Sequence, residues 1–266
     1  MDHLNLAYSL AGAFVGFLVG LTGVGGGSLM APVLILLFHR EAAVAVGTDL
    51  WFACITKSFG GFVHHRHGSP DWKIVRRLAL GSLPAAALTV WWLATYHHGH
   101  LQSKVLLDLL GAMLLLTAGL MLLRHQIVRP LRRARVVLDP VIHRMRFGQL
   151  LVTVVGGAMI GALVTLTSIG AGALVAVMLA LVYPLRLDAK KIVGTDIIHA
   201  IPLTLVAGLG QAWLGNVDGW LLASLLLGSI PGIVAGSYLA GRIADRLVRY
   251  ALAAMLVVSA VKMIGA

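Results

Sequence analysis

Long apolar runs separated by short polar stretches make up most of the chain. Runs of roughly 20 residues, enough to cross the hydrocarbon core of a bilayer as a helix, lie at 43–63, 74–96, 101–123, 192–214, 219–240 and 246–265. Two longer runs, 5–38 and 149–183, are interrupted in the middle by small residues. The pattern predicts an all-α polytopic membrane protein in which each of the two longer runs contains a broken helix.

Glycine causes the first interruption, because Gly23, Gly25, Gly26 and Gly27 fall within five positions. Each glycine costs a helix about 1 kcal/mol relative to alanine, so the helix is expected to end there. Inside a bilayer, broken backbone is tolerated only where protein or a water-filled cavity satisfies its hydrogen bonds. A helix that restarts after the break points its free N–H groups at it, which suits a small anion. An alternative interpretation is that these glycines only allow close helix packing.

The chain contains an internal repeat. Residues 16–29 match residues 161–174 at eight of fourteen positions, and residues 43–84 match residues 190–231 at thirteen of 42 positions without a gap. The second block pairs Gly47-Thr48-Asp49 with Gly194-Thr195-Asp196, and it pairs Asp71 with Asp218, which we expect to be helix N-caps. The repeat predicts two homologous transmembrane units, 1–123 and 149–266, joined by a basic linker at 124–148. Each unit has a Gly-broken first helix run followed by three transmembrane helices.

Composition and charge agree with a membrane protein. Of the 266 residues, 59% are hydrophobic and 12% are charged, whereas soluble domains average about 25% charged residues. The net charge of +11 is explained by basic cytoplasmic loops, so no nucleic-acid partner is predicted. The lone Cys54 excludes an intramolecular disulfide and a cysteine-cluster metal site. The N-terminus lacks the positive region of a cleavable signal peptide, so we expect the first segment to be retained.

The distribution of lysine and arginine predicts the orientation of the repeats. If each broken run enters the membrane and returns to its own side, 17 of these residues lie on the cytoplasmic side and three lie outside; if each run crosses once, the numbers are 12 and eight. The positive-inside rule favours the first arrangement. The two repeats then have inverted topologies, the basic linker is cytoplasmic and both termini are outside. Inverted repeats with broken helices are typical of secondary transporters that bind their substrate near the midplane.

Several polar residues lie inside predicted spans, where ionisable groups are costly and are functional candidates. Lys57 could attract an anion, whereas Asp49, Asp196 and His199 are candidates for proton coupling. Other interpretations stay open: the aspartates could cap broken helices, Lys57 could extend to the interface, and His199 could be a hydrogen-bonded packing residue. The predicted substrate-binding residues are Thr22, Gly25, Gly26, Gly27, Ser28, Thr48, Lys57, Gly170, Gly172 and Thr195.

We predict no catalytic residue, metal site or cofactor, because the chain has no Walker loop, nucleophile elbow or zinc-protease motif. The histidines at 64, 65, 67, 97, 98 and 100 are interpreted as interfacial loop residues. The expected partners are a small anionic substrate and the lipid bilayer. A homodimer is compatible with the sequence, which leaves the oligomeric state open.

The motifs resemble those of the sulfite exporter TauE/SafE family of membrane permeases. The resemblance covers essentially the whole chain and includes Gly23-Val24-Gly25-Gly26-Gly27, Val46-Gly47-Thr48, Val193-Gly194-Thr195 and two Gly-Ser-hydrophobic-Pro elements. It implies transport of small sulfur-containing anions, such as sulfite, sulfoacetate or thiosulfate, across the inner membrane. The chain departs from the family pattern in having aspartate, where many members have serine, after both Gly-Thr pairs. This departure leaves the substrate open.

The function predicted from these features is a secondary transporter that exports a small anion, such as sulfite or an organosulfonate. It would work by alternating access with proton coupling. One alternative is a passive anion channel. Another is a membrane-embedded enzyme or assembly factor that uses the same carboxylates, but no known catalytic spacing supports it, so we predict that the protein is not an enzyme.

Overall fold

The protein is entirely helical over the residues described by the structure, a computed structural model that covers 6–22, 29–65, 70–133, 146–183, 186–239 and 245–265. This part contains ten helices and no strand, as the apolar runs predict. They are α1 (Leu6–Thr22), α2 (Met30–Leu36), α3 (Ala42–His65), α4 (Trp72–Tyr96), α5 (Ser103–Arg133), α6 (Arg146–Thr167), α7 (Ala173–Val182), α8 (Ala189–Trp213), α9 (Gly219–Leu239) and α10 (Asp245–Ile264).

Five of the described helices are long and apolar enough to cross a membrane: α4, α5 over residues 103–123, α6, α8 and α9. At about 1.5 Å per residue, a helix of some 20 residues spans the roughly 30 Å of the hydrocarbon core. The chain is therefore a multi-pass membrane protein. Helix α5 continues beyond its apolar part to Arg133, so the predicted linker at 124–148 begins as a helical extension.

The run at 149–183 is broken as predicted. Helix α6 ends at Thr167 and α7 begins at Ala173. Between them Ser168 and Gly170 have positive φ values of 57° and 101°, which the helix cannot accommodate. The Thr167 hydroxyl accepts a hydrogen bond from the Ile169 backbone N–H (3.2 Å) and donates to the Leu163 carbonyl (2.7 Å). The polar backbone at this break is thus partly satisfied by the end of α6 itself.

The break in the first run falls between α1 and α2, and residues 23–28 lie outside the described part. The two short helices that follow the breaks differ in length, because α2 has seven residues and α7 has ten. Neither is long enough to cross a bilayer. Each broken run therefore consists of one long arm and one short arm.

Helices from the first half pack mainly on helices from the second half. Helix α1 packs on α9, and Gly12 and Gly20 approach the backbone at Leu225 and Ile233, so these two helices run parallel. Helix α4 packs in the same way on α6, with Gly161 against Ser82. A methyl group at any of these glycines would collide with the facing backbone. Small residues at such crossings are what allow membrane helices to approach closely.

Helices α3 and α8, which carry the repeated Gly-Thr-Asp elements, cross each other in the interior. The Trp51 indole N–H donates to the Gly208 carbonyl (2.9 Å), and the Cys54 thiol lies 3.9 Å from the Ile201 carbonyl. Residues later in α3 thus meet residues earlier in α8, so the two helices are antiparallel. Helices α2, α5, α6 and α9 also contact α3, which shields its polar residues from lipid.

Candidate functional site

The crossing of α3 and α8 brings together most of the polar residues singled out from the sequence. Asp49, Lys57, Asp196 and His199 have between 0% and 6% of their surface exposed. Both helices are surrounded by other helices, so the side chains face protein and not lipid. Buried ionisable groups in membrane helices are stable only when they are paired or hydrogen-bonded. The geometry of this cluster therefore decides what each group can do.

Lys57 is the positive centre of the cluster. Its ammonium group interacts electrostatically first with the Asp196 carboxylate and then with the Asp49 carboxylate, and it also acts on the His199 ring. Lys57 is 6% exposed, so its ammonium group stays within the protein and does not extend to the membrane interface. The alternative interpretation, in which Lys57 extends to the membrane interface, is therefore not what the structure shows. A buried ammonium group that faces two carboxylates can attract an anion only if at least one of those carboxylates is neutralised or moves away.

Asp49 lies within α3, seven residues after the helix begins at Ala42, and does not cap this helix. Asp196 likewise lies inside α8, whose N-cap is Asp188. Asp49 faces the Ser168 hydroxyl at the second break and the Ala31 backbone amide in the first turn of α2. Neither of its carboxylate oxygens has hydrogen-bond geometry with any group in the described part of the chain. A carboxylate thus lies at the start of α2, where we expected a substrate anion to bind.

His199 has a partner that the sequence did not reveal. Its Nε2 atom lies 2.8 Å from the Ser82 hydroxyl of α4, and both residues are fully buried. Its Nδ1 atom has no hydrogen-bond partner among the described residues. The available signal was the repeated Gly-Ser-hydrophobic-Pro element, in which Ser82 corresponds to Ser229. We interpreted that element as a family motif and assigned no role to its serine.

The two predicted threonines connect the halves. The Thr48 hydroxyl accepts a hydrogen bond from the Asp218 backbone N–H (3.2 Å), and the Thr195 hydroxyl accepts one from the Asp71 backbone N–H (3.1 Å). Asp71 and Asp218 are also N-caps, as predicted, because their side chains accept from Ile74 N–H and Leu221 N–H. The threonines therefore join each repeat to the other half's helix start. Their predicted contact with substrate stays a prediction.

The glycine-rich breaks are described only in the second half. Gly170 has the positive φ noted above, and Gly172 precedes α7 without a side-chain cap, so the first-turn amides of α7 have no capping side chain. Of the other predicted binding residues, Gly25, Gly26, Gly27 and Ser28 lie outside the described residues, as does the Thr22 side chain. Ser168, which stands where Gly23 does in the repeat, is a site residue that the sequence did not predict.

Among the described residues, an ion pair joins the two halves at each end of the helices. At one end the Arg186 guanidinium binds the Asp71 carboxylate, with Nη2 2.8 Å from Oδ1. At the opposite end Arg40 Nη1 lies 3.7 Å from Asp218 Oδ2. Each arginine follows a short helix, α2 or α7, and each aspartate caps a long helix of the other half. The contacts therefore bridge the two halves above and below the central cluster.

In the described part of the chain, no three histidine, cysteine, aspartate or glutamate side chains lie close enough together to hold a metal ion. The His97 ring packs against Trp92 with its centroid 4.3 Å away. The chemistry offered by the central cluster is therefore that of one ammonium group, two carboxylates, one imidazole and several hydroxyls. These groups can hold a small ion and exchange protons.

Comparison with known proteins gives one family and several relatives. The family model described as sulfite exporter TauE/SafE matches residues 8–263. A Bacillus subtilis protein named "Probable membrane transporter protein YjnA" is 41% identical over 263 residues, which cover 98% of this chain and 100% of that protein. Two other relatives are each 28% identical to this chain. The match to YdhB from Bacillus subtilis covers 84% of this chain and 85% of that protein. The match to MJ0441 from Methanocaldococcus jannaschii covers 80% of this chain and 73% of that protein. Both of these are also named probable membrane transporter proteins. No solved structure gives a significant match.

Proposed function

This chain belongs to the sulfite exporter TauE/SafE family, as its motifs indicate, and from that premise we propose that it is a secondary transporter of small anions, such as sulfite or an organosulfonate. The observation that supports this proposal best is the buried cluster of Lys57, Asp49, Asp196 and His199 at the crossing of α3 and α8. A charged cluster of this kind inside a membrane protein is costly to maintain and is typical of an ion pathway.

The proposed architecture is a pair of inverted repeats. The corresponding helices α3 and α8 are antiparallel, and α1 lies parallel to α9 while α4 lies parallel to α6. In an inverted repeat, the corresponding helices α3 and α8 run in opposite directions. The contact of α1 with α9 then corresponds to the contact of α6 with α4, so both pairs have the same relative direction. The basic linker is then cytoplasmic, both termini are outside, and the protein resides in the inner membrane. The Arg186–Asp71 pair lies at the cytoplasmic end and the Arg40–Asp218 pair at the outer end.

The anion binds, in this proposal, between Lys57 and the amides at the two breaks. Residues 170–173 at the start of α7 and residues 25–28 before α2 supply backbone N–H groups, and a helix N-terminus favours negative charge. Thr22 is the last residue of α1 before the first break, whereas Thr48 and Thr195 lie on α3 and α8, which follow the short helices α2 and α7. Asp49 faces the same region, so binding of an anion there favours protonation of a neighbouring carboxyl. This linkage would make the anion move together with a proton carried by Asp49, Asp196 or His199.

Counterflow of radiolabelled sulfite in proteoliposomes tests the proposal. We expect the wild-type protein to exchange internal for external sulfite, and Lys57→Met to reduce exchange at least tenfold, because the anion loses its only buried ammonium partner in the described cluster. Lys104→Met is the matched control, since Lys104 is exposed at the start of α5, and it should exchange like wild type. A passive channel would give net flux without counterflow, and an enzyme would form product in detergent.

If sulfite does not exchange, a panel of sulfonates and carboxylates identifies the substrate class. Failure of every anion on the panel in well-folded protein would contradict the proposal. Equal exchange by the Lys57→Met variant would keep the transporter function and remove Lys57 from the anion site.

A further inference from the structure

The two aspartates of the repeated Gly-Thr-Asp elements are equivalent in sequence but differ in their surroundings. At the repeat offset of 147, Asp49 corresponds to Asp196, while Lys57 corresponds to Thr204. Exchanging the two repeats therefore turns the contact between Lys57 and Asp196 into a contact between Thr204 and Asp49. The repeat supplies a permanent cation for only one of the two carboxylates.

The packing of α3 on α8 supports the assignment of Lys57 to Asp196. Trp51 meets Gly208 and Cys54 meets Ile201, so one further turn along α3 brings Lys57 level with the turn of α8 that contains Asp196. Asp196 is also the first of the carboxylates that act on the Lys57 ammonium. Asp49 lies eight residues from Lys57 on the same helix, which separates their backbones by about 12 Å along the axis.

Asp49 has no comparable partner. Its corresponding neighbour, Thr204, donates its hydroxyl to the Ala200 carbonyl of its own helix (2.8 Å) and carries no charge. Helix α2, which packs on α3, contains no ionisable residue, and α9 contains only Tyr238 near its end. The ionisable residues of α5 lie toward its ends, at Lys104, at Asp108 and beyond residue 123. The ionisable residue of α6 is Arg146 at its start. Helix α8 adds Asp196 and His199 to the cluster, and it carries Lys190 and Lys191 at its start. Helix α3 itself adds Lys57, whose electrostatic effect on Asp49 is smaller than the effects of burial, Ser168 and Ala31.

The position of Asp49 is suited to a small cation. Its carboxylate is fully buried and faces the Ser168 hydroxyl and the Ala31 backbone amide. Among the described residues, neither its oxygens nor the Ser168 hydroxyl meets the distance and angle criteria of a hydrogen bond. Ser168 directly follows the last residue of α6, where the carbonyl groups of a helix end carry partial negative charge. Broken transporter helices use such C-terminal ends to coordinate coupling cations.

We infer that Asp49 takes its countercharge from an exchangeable monovalent cation, a proton or Na⁺, bound between its carboxylate and the Ser168 hydroxyl, whereas Asp196 is the permanent counterion of Lys57. The consequence for coupling rests on the proposed transport function. Coupling then depends on Asp49 of the first repeat, whereas Asp196 of the second repeat forms the fixed charge pair with Lys57 of the first. The two half-sites have different tasks although their motifs are the same.

Thermal unfolding of the purified full-length protein in detergent tests the charge assignment without any transport assay. Asp196→Asn should lower Tm by about 5 °C or more, because it leaves the Lys57 ammonium buried without its counterion. The double variant K57M/D196N should regain most of this loss. Asp49→Asn should not lower Tm, and adding K57M to it should bring no recovery. Rescue of D49N by K57M, or equal losses for both aspartates, would overturn the assignment.

A second experiment identifies the cation. Tm of the wild-type protein is measured in NaCl and in choline chloride, each across a range of pH. A sodium site predicts that Tm is higher in NaCl than in choline chloride. A proton site predicts that Tm depends on pH and is the same in the two salts. Asp49→Asn should remove whichever dependence the wild type shows, and Asp196→Asn should keep it. If neither cation changes the wild-type Tm, or if only Asp196→Asn removes the effect, the inference is wrong.

The same variants are then compared in proteoliposomes with an imposed pH gradient or Na⁺ gradient. Anion transport by wild type should respond to one of them, whereas Asp49→Asn and Thr204→Lys should lose the response, the latter because it supplies Asp49 with a fixed ammonium partner. Persistence of the response in Asp49→Asn would overturn the inference. If wild type carries no anion at all, the proposed function fails, and the unfolding experiments still decide which aspartate binds Lys57.

Discussion

At the scale of single residues, the polar groups of this protein are distinguished by their partners more than by their burial. Asp49, Asp196, Lys57 and His199 are all buried, but only some have a fixed partner. His199 bonds to Ser82, and Lys57 interacts first with Asp196. In a membrane interior the cost of a polar group depends mainly on whether its hydrogen bonds and charge are satisfied. The residues with incomplete partners are therefore the best candidates for contact with an ion.

The Ser82–His199 hydrogen bond gives a prediction at this scale. Ser82→Ala leaves the Nε2 atom of a buried imidazole without its partner, which typically costs about 1–3 kcal/mol. We expect a lower Tm in detergent than for wild type. Ser229→Ala is the matched control, because Ser229 holds the corresponding position in the other repeat and its hydroxyl makes only a long bond to the Leu226 carbonyl (3.4 Å). Equal losses for the two variants would show that the His199 contact does not stabilise the fold.

At the scale of helices, hydropathy predicted where the spans lie but not which of them pack together. The run at 74–96 becomes α4 (Trp72–Tyr96) and the run at 192–214 becomes α8 (Ala189–Trp213). Helix α5 extends further than its apolar run, since the arginines after Leu123 lower hydropathy without opposing helix formation. A repeat shows that two segments are alike, whereas their contacts depend on the shapes of the surfaces that meet.

Glycine spacing is the sequence feature that these contacts explain best. Glycines at 12, 16 and 20 in α1 face α9, and those at 228, 232 and 236 in α9 face α1. Close packing is also the alternative interpretation of the glycines at 23–27, which lie outside the described residues, so that alternative stays a prediction. Those at the second break have another role, because Gly170 adopts a positive φ. In α1 and α9, spacing of four residues between glycines thus indicates close helix packing.

Alanine substitutions test this distinction. Gly161→Ala introduces a methyl group against the Ser82 backbone in the α4–α6 crossing, where neither backbone can move easily. We expect reduced expression of folded protein and a lower Tm. Gly119→Ala in α5 has no atom within 4 Å of the new methyl group, and it should be neutral or stabilising by up to about 1 kcal/mol from helix propensity. Tolerance of Gly161→Ala at wild-type Tm would contradict the packing described for α4 and α6.

At the scale of the whole molecule, the contacts between the halves follow the repeat more closely than the central site does. Thr48 and Thr195, Asp71 and Asp218, and Arg40 and Arg186 make corresponding contacts at opposite ends. The sequence showed the first two pairs as shared motifs. It could not show the different tasks that we infer for Asp49 and Asp196, because that difference comes from the register of α3 on α8, which makes the interaction of Lys57 with Asp196 stronger than that with Asp49. The contacts between the halves follow the repeat, whereas the surroundings of the two aspartates differ.

This symmetry makes the two terminal ion pairs candidates for gates that open alternately. The lone Cys54 is a built-in reporter, since it is buried on α3 at the crossing with α8. Arg186→Ala should raise the rate at which an impermeant thiol reagent labels Cys54 from the cytoplasmic side, and Arg40→Ala should raise labelling from the outside. The comparison uses inside-out and right-side-out vesicles, with Cys54→Ser as the control for unspecific labelling.

The size of the two effects should differ. The Arg186–Asp71 contact joins two guanidinium nitrogens to both carboxylate oxygens, whereas Arg40 approaches Asp218 at 3.7 Å. Bidentate arginine–carboxylate pairs are the stronger kind, so removing Arg186 should change accessibility more than removing Arg40. Faster labelling from the same side in both variants would contradict alternating gates, because it would mean that the two ends open on one pathway. Side-specific labelling would connect the repeated contacts at the ends to movement around the asymmetric cluster between them.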